Sequence, residues 1–312
     1  MTNSRAFCVC IPARNEAARL PVLLSSLAGQ DIPGRLSVVV CVNNTSDGSA
    51  EVLRSFASTH SARLAIVADE ITFPAGKAHA GSARRRAMDI GYDSLQQHRG
   101  AVLMSTDADA RAPANWIAEN LRAIDSGADI VGGRLVLDEN EPLPTDVLSL
   151  RLLWDRYWRK VREIEDAVDP RASDPSPRHG DHTGASLALT AEIYRKAGGV
   201  PELAVGEDRE LVANAVAAGG ILVHPQAVWT RVSPRRDGRA PGGMAQAMAD
   251  LHDTAALGRI TLAPALSHWQ HRAAWRRRVR HSAGGDAAVA RAERFLPAIP
   301  CDTPLDAIVE HP

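Results

Sequence analysis

The sequence predicts an α/β fold: a mostly parallel sheet covered by helices on both faces, followed by a helical C-terminal extension. Short apolar runs alternate with stretches of helical periodicity through residues 7–104. The connections between them have lengths that suit strand–helix crossovers. The run at 36–42, Leu-Ser-Val-Val-Val-Cys-Val, is β-branched and almost continuously apolar, as expected of a central parallel strand buried on both faces. Beyond Gly243 the pattern is mostly helical.

Taken in order, residues 7–11 form a first strand that Pro12 ends. A helix from about Asn15 carries Leu20, Leu23, Leu24 and Leu27 at helical spacing and closes at Gly29 and Pro33-Gly34. After the strand at 36–42, a polar turn from Asn43 leads into a helix with Ser49 as expected N-cap and Val52, Leu53 and Phe56 on its apolar side. Residues 64–67 are a third strand, 76–90 an Ala- and Arg-rich helix, and 101–104 a fourth strand. Residues 130–137 form another strand and 148–164 a long amphipathic helix with Trp154, Tyr157 and Trp158. Prolines, glycine and charge mark 169–182 as a loop. A small apolar stretch (183–189) follows, then helices at 193–197 and 207–218, and a strand at 221–223 that ends at His224-Pro225. No internal repeat is present.

Composition narrows the classes. The chain has 312 residues, 45% hydrophobic and 23% charged, with a formal net charge of −1, so no global field suggests nucleic acid as a partner. The N-terminus lacks an apolar h-region and no apolar run reaches transmembrane length, so a soluble, cytoplasmic protein is expected. Cys8, Cys10 and Cys41 lie in apolar strands with no second Cys or His pair at ligand spacing, and are expected as reduced core thiols; Cys301 is expected at the surface.

The chemistry centres on residues 100–111, where the fourth strand gives way to Asp107-Ala108-Asp109. Two carboxylates separated by one small residue, at the carboxyl end of a parallel strand, suit a hard divalent cation shared with substrate phosphates. The alternative is a pair of solvated turn residues.

In four stretches the chain resembles family 2 glycosyltransferases with the GT-A (Rossmann-like) fold, and the likeness runs from Phe7 to about Met244. The stretches are Ile11-Pro12-Ala13-Arg14-Asn15-Glu16; Val42-Asn43-Asn44-Thr45-Ser46-Asp47-Gly48, where the family usually has Asp-Asp-Gly-Ser; the Asp107/Asp109 turn; and Gly206-Glu207-Asp208, after the small-residue segment His182-Thr183-Gly184-Ala185-Ser186. The resemblance implies a nucleotide-sugar donor, probed by the backbone at Pro12, Ala13 and Arg14 and by Glu16 and Asn43. Asparagine in place of the family's acid leaves the base open, while Asn44 suits the turn. Lys77 and Arg84 match the family's Gly-Lys…Ala-Arg segment as cations for diphosphate or base; Arg85 and Arg86 suit a solvated helix face. Asp107, with the adjoining Ala108, and Asp109 would hold Mg²⁺ or Mn²⁺, Asp109 more directly. His224 is a further candidate ligand, set against a structural role before proline. Asp208 is the expected general base, Glu207 its support; the alternative is first-turn acids stabilising a helix. Arg235 and Arg236, in Arg235-Arg236-Asp237-Gly238-Arg239-Ala240-Pro241-Gly242-Gly243, resemble the family's basic loop that closes over diphosphate.

These expectations assemble into inverting transfer of a sugar, UDP-linked by preference, to a hydroxyl or amine of a small-molecule, lipid-linked or carrier-bound acceptor. A retaining transferase, a sugar nucleotidyltransferase and an inactive binding module are the alternatives. Residues 1–137 are expected as the donor-binding half, 138–245 as the acceptor-binding half of the same domain, and 246–312 as an extension. Its basic helix, with Trp269 and Trp275, is a candidate for peripheral contact with the inner face of a membrane or for packing on the domain.

Overall fold

The computed structural model describes residues 5–238 and 242–310; residues 1–4 of the N-terminal stretch, and Arg239, Ala240 and Pro241 of the expected basic loop, lie outside the described residues. In chain order the elements are β1 (Phe7–Ala13), α1 (Leu20–Ala28), β2 (Leu36–Asn43), α2 (Ser49–Thr59), β3 (Leu64–Ile71), α3 (Ala80–Leu95), β4 (Val102–Ser105), α4 (Trp116–Asp125), β5 (Ile130–Gly132), β6 (Arg134–Leu137) and α5 (Thr145–Val168). There follow β7 (Leu187–Thr190), α6 (Ala191–Lys196), α7 (Glu207–Ala217), β8 (Leu222–Val223), β9 (Trp229–Val232), α8 (Met244–Leu257), β10 (Leu262–Ala263), α9 (Leu266–Ala283), α10 (Gly285–Glu293), β11 (Thr303–Pro304) and α11 (Leu305–Glu310).

The central sheet has seven strands in the order β3-β2-β1-β4-β7-β5-β8. It is parallel except at β7, which runs antiparallel to both β4 and β5. One face packs Leu20, Leu23, Leu24 and Leu27 of α1 and Trp116 of α4 against Val9, Val38 and Val40. The other packs Ala87 and Met88 of α3 and Leu211 of α7 against Cys8, Cys10 and Leu103. The three strand cysteines are thus buried and free, and Cys301 is exposed, as expected. A third core forms between α5 and the extension, where Tyr157 and Val161 meet Leu305 and Ile308. Among the described residues no helix is long and apolar enough to cross a membrane.

The boundaries differ from expectation where tertiary partners decide them. β1 continues through Pro12 to Ala13. Its pairing with β4 ends at Cys10, so beyond that point β1 has only β2 beside it, and an open flank tolerates a residue without an N–H. α1 starts at Leu20, not Asn15, which adopts φ 54. Asn15 Oδ1 accepts from Ser46 N at 2.8 Å, a contact with the turn after β2 that holds the residue there, and Asn tolerates the left-handed region better than most residues. Gly48, at φ 80, occupies the N-cap position of α2 in place of Ser49, whose hydroxyl donates to Asp47 and accepts from Glu16 N at 2.8 Å. The expected strand at 130–137 is two strands in different sheets, because β6 leaves the central sheet to pair with β9. The helix expected from Gly76 starts at Ala80 after a 3₁₀ turn at Ala75–Lys77 and is capped by the His79 side chain, which accepts from Ser82 N.

Candidate functional site

The carboxyl ends of β1, β2 and β4 open onto a cleft of about 560 Å³ that also receives the N-terminus of α7 and the chain after β9. Its walls include Pro12, Ala13, Arg14, Glu16, Asn43, Arg84, Asp107, Ala108, Asp109, Glu207, Asp208 and Arg235. Residues far apart in sequence meet here because parallel strands place all their carboxyl-end loops along one edge.

The first two motifs lock each other. Asn15 N donates to Thr45 Oγ1, Glu16 N to Ser49 Oγ and Ala17 N to Asp47. Asn44 bonds both backbone groups of Phe73, a turn role, whereas Asn43 is 2% exposed and lines the cleft. Arg14 donates to the Ala78 carbonyl.

Arg84 is the hub. It is the inward-pointing member of its Arg triplet; Arg85 reaches Val200 O, and Arg86 forms a two-point pair with Asp69. Arg84 donates to Glu207 Oε1 at 3.0 Å, Asp107 Oδ1 at 2.8 Å, Ser105 Oγ at 2.6 Å and the Gly184 carbonyl at 3.0 Å. Burial opposes its charge, yet the neighbouring carboxylates Asp107, Glu207 and Asp208 raise its pKa above the ordinary value. Four of its bonds are thus to protein groups, and through them Arg84, itself on the cleft wall, joins the Asp107/Asp109 turn to α7. Gly184 permits this, since a Cβ there would lie 2.2 Å from the Arg84 guanidinium carbon.

Two other expected cations are not on the cleft wall. Lys77 is exposed on its 3₁₀ turn and pairs with Glu202 at 2.6 Å, and Arg236 is exposed. Arg235 does enter. It pairs with Glu16 through two bonds, of 2.9 and 2.5 Å, and with Asp109 Oδ2 at 2.9 Å. Burial, and then the charge on Asp107, push the Asp109 carboxyl up to about 6 against the pull of Arg235. Glu16 lies before α1, whose first turn carries no acidic residue.

The donor set fits a hard divalent ion, with two carboxylates on one turn, one of them desolvated. Among the described residues no group of three or more potential protein ligands assembles. His224 does not join them: it is 4% exposed and bonds Asp174 through Nδ1 at 2.7 Å. Asp208 Oδ2 accepts from Gly184 N at 2.8 Å and Oδ1 from Arg209 N at 2.7 Å.

Several wall residues went unnoticed in the sequence. Ser233 directly follows β9, which β6 aligns, and Glu141 ties it to Arg19. Leu135, Arg151, Val205, Met244 and Ala247 also line the wall; each sits in a pattern that signals only a strand, an amphipathic helix or a loop. His79 and Ser105, beside recognised motifs, had a local signal.

In the extension, the basic helix α9 packs on α5. Trp269 Nε1 donates to Tyr157 Oη at 2.7 Å; Arg276 pairs with Glu165 and Glu293, Arg272 with Glu293, and Arg280 with Asp169 and Asp286. Arg277 and Arg278 are exposed.

Residues 8–170 match the model of glycosyl transferase family 2. The glycosyltransferase AglE of Haloferax volcanii is 28% identical over 138 residues, which is 43% of this chain and 41% of AglE; the match thus spans less than half of that relative's length. Among solved structures, the mannosyltransferase PcManGT of Pyrobaculum calidifontis, in complex with GDP-Man and Mn²⁺, aligns with a TM-score of 0.50 at 19% identity, covering 95% of this chain and 77% of that one. S. aureus TarS in complex with UDP-GlcNAc aligns with a TM-score of 0.52 at 16% identity, covering 90% and 73%. At these identities the two structures speak to the fold, which is the same mixed α/β architecture.

Proposed function

The chain belongs to glycosyl transferase family 2; from that premise we propose that it is a glycosyltransferase carrying out metal-assisted transfer of a sugar, with inversion at C1, from a nucleotide-diphosphate sugar to an acceptor hydroxyl or amine. The observation that carries this is the Arg84 bridge, which ties Asp107 on the cation turn to Glu207 beside Asp208 across one cleft. Donor-side and acceptor-side groups are thereby held at a fixed separation, as in-line displacement requires.

In this reading Asp208 faces the acceptor, takes its proton as the oxygen or nitrogen attacks C1, and hands it to solvent after the bond to diphosphate breaks. Its two backbone donors leave lone pairs on both oxygens for that proton. Glu207 supports the base by anchoring α7 to Arg84. Asp107 and Asp109 would hold Mg²⁺ or Mn²⁺, which when bound would supply charge neutralisation for the departing diphosphate. Asn43 and Glu16 meet the nucleoside, and the backbone of Pro12, Ala13 and Arg14 flanks it. Arg235, paired with Glu16 and Asp109 here, would leave them for the phosphates of a bound donor.

UDP is the favoured nucleotide, and the neighbours' own ligands make both UDP and GDP sugars the donors to screen. Residues 1–137 supply the donor wall and 138–245 the acceptor wall of one domain, with 246–312 as the extension. Any peripheral contact with an anionic membrane through α9 rests on exposed Arg277 and Arg278, because its other arginines are paired internally.

The test begins with thermal shifts by UDP-GlcNAc, GDP-Man and related donors, with and without Mn²⁺, since a ligand of the native state raises stability. With the effective donor, Asp208→Asn should bind nucleotide normally and lose about 10²–10⁴-fold in rate. Normal turnover by Asp208→Asn would remove the base, and an axial-to-axial or equatorial-to-equatorial product would show retention.

A further inference from the structure

Behind the cleft lies a chain of polar groups that the proposed reaction does not use. Asp174 is 2% exposed and sits in the irregular segment between α5 and β7. One of its oxygens accepts from the His224 backbone N–H at 2.7 Å, and the other lies 2.7 Å from His224 Nδ1. An ionised carboxylate only accepts, so His224 carries its hydrogen on Nδ1 and Nε2 is left as an acceptor. That Nε2 lies 3.2 Å from His182 Nδ1, which must then be the donor. One assignment of tautomers satisfies both contacts.

His182 is two residues from Gly184, whose backbone N–H is the bond that aims Asp208 Oδ2. The Gly184 carbonyl is held from the other side by Arg84 and Ser105. The intervening strand approach is tight, since a Cβ on Gly132 would lie 2.2 Å from the Asp181 carbonyl oxygen and 2.9 Å from His182 Cβ. The backbone of 181–184 is therefore fixed laterally by β5, from the cleft by Arg84, and from behind by the Asp174–His224–His182 chain. Burial pushes His182 down to about 4, so its ring is neutral near pH 7.

We propose that His182 and His224 are positioning residues for the transfer: by holding the 182–184 backbone they set the direction of the Asp208 carboxylate towards the acceptor. This rests on the reading of Asp208 as base. The chain acts on the acceptor half of the site, so its disruption lowers turnover without loosening the nucleotide. A misplacement of about 1 Å at a reacting group costs about 10²-fold.

The test uses the full chain, with release of nucleoside diphosphate from whichever of UDP-GlcNAc or GDP-Man shifts the melt, water serving as acceptor. His182→Leu should lower kcat by about 10²-fold with donor KM and nucleotide affinity unchanged. His182→Asn should recover part of that loss, because the Asn amide N–H takes the place of Nδ1–H and donates to His224. The decisive measurement is the double variant. In an Asp208→Asn background His182→Leu should cost nothing further, since a residue acting through Asp208 has nothing left to position. An equal fold-loss in both backgrounds, or unchanged kcat in His182→Leu, overturns the inference while leaving the base intact. Normal turnover by Asp208→Asn alone overturns the base reading, and this inference with it. Should His182→Leu fail to fold, Asp174→Asn replaces it, keeping one acceptor for His224 where there were two, with the same non-additivity expected.

Discussion

Replacing Arg84 by methionine keeps the length of the side chain and deletes its charge, and the structure fixes what that costs. The side chain is 5% exposed and its partner Glu207 is 8% exposed, so the variant strands a buried carboxylate. Breaking a buried pair from one side costs about 3–5 kcal/mol. The other partner, Asp107, is 37% exposed, and a pair of that kind adds at most about 1 kcal/mol. Ser105 Oγ still reaches the Gly184 carbonyl at 3.0 Å, so no further group is orphaned there. The sum is a large part of the 5–15 kcal/mol that holds a typical domain, roughly. At an m-value of about 3 kcal/mol/M the urea midpoint should fall by about 1 M or more. The assay is urea unfolding followed by tryptophan fluorescence, for which fully buried Trp116 is a reporter. Glu207→Gln in the same chain should restore most of the loss, because a neutral amide no longer needs the guanidinium. A loss below about 1 kcal/mol in Arg84→Met, or no recovery in the double variant, would refute the hub as drawn.

Other outcomes are equally specific. Asp109→Ala should depress turnover more than Asp107→Ala, and excess EDTA should abolish it; full turnover in EDTA would exclude the divalent ion. Hydrogen exchange across residues 233–244 should slow when nucleotide and Mn²⁺ are added, as Arg235 leaves Asp109 and Glu16 for the phosphates; unchanged exchange at saturating ligand would rule out closure. Burial, followed by the nearby His224, sends His179 down to about 3, and burial sends His182 down to about 4. Both lie below the unfolded value of about 6.5, so the unfolded chain binds more protons between those limits. Stability is then fully present above about pH 6.5 and falls as pH drops towards 4. The urea midpoint at pH 5 should lie below that at pH 7, with a smaller difference in His179→Gln; equal differences would remove His179 from the account.

Much of this protein is local in its chain. Apolar runs, helical spacing and the strand–helix alternation announce the sheet and the faces of α1, α2 and α3, because burial on both faces leaves no polar alternation. The acids at 107, 109, 207 and 208 announce themselves by type, and so does the family. Three-dimensional contact alone decided which charges are free. Lys77, Arg84, Arg235 and Arg236 are equivalent as letters, yet one is paired at the surface, one is buried as a strut, one crosses the cleft and one faces solvent. The same is true of α9, whose basic run meets acids of α5 and α10. A guanidinium's partner is set by distances of about 3 Å between elements separated by a hundred residues or more, as between Arg84 of α3 and Glu207 of α7. No spacing within the sequence encodes such a distance, because packing around the sheet brings those elements together.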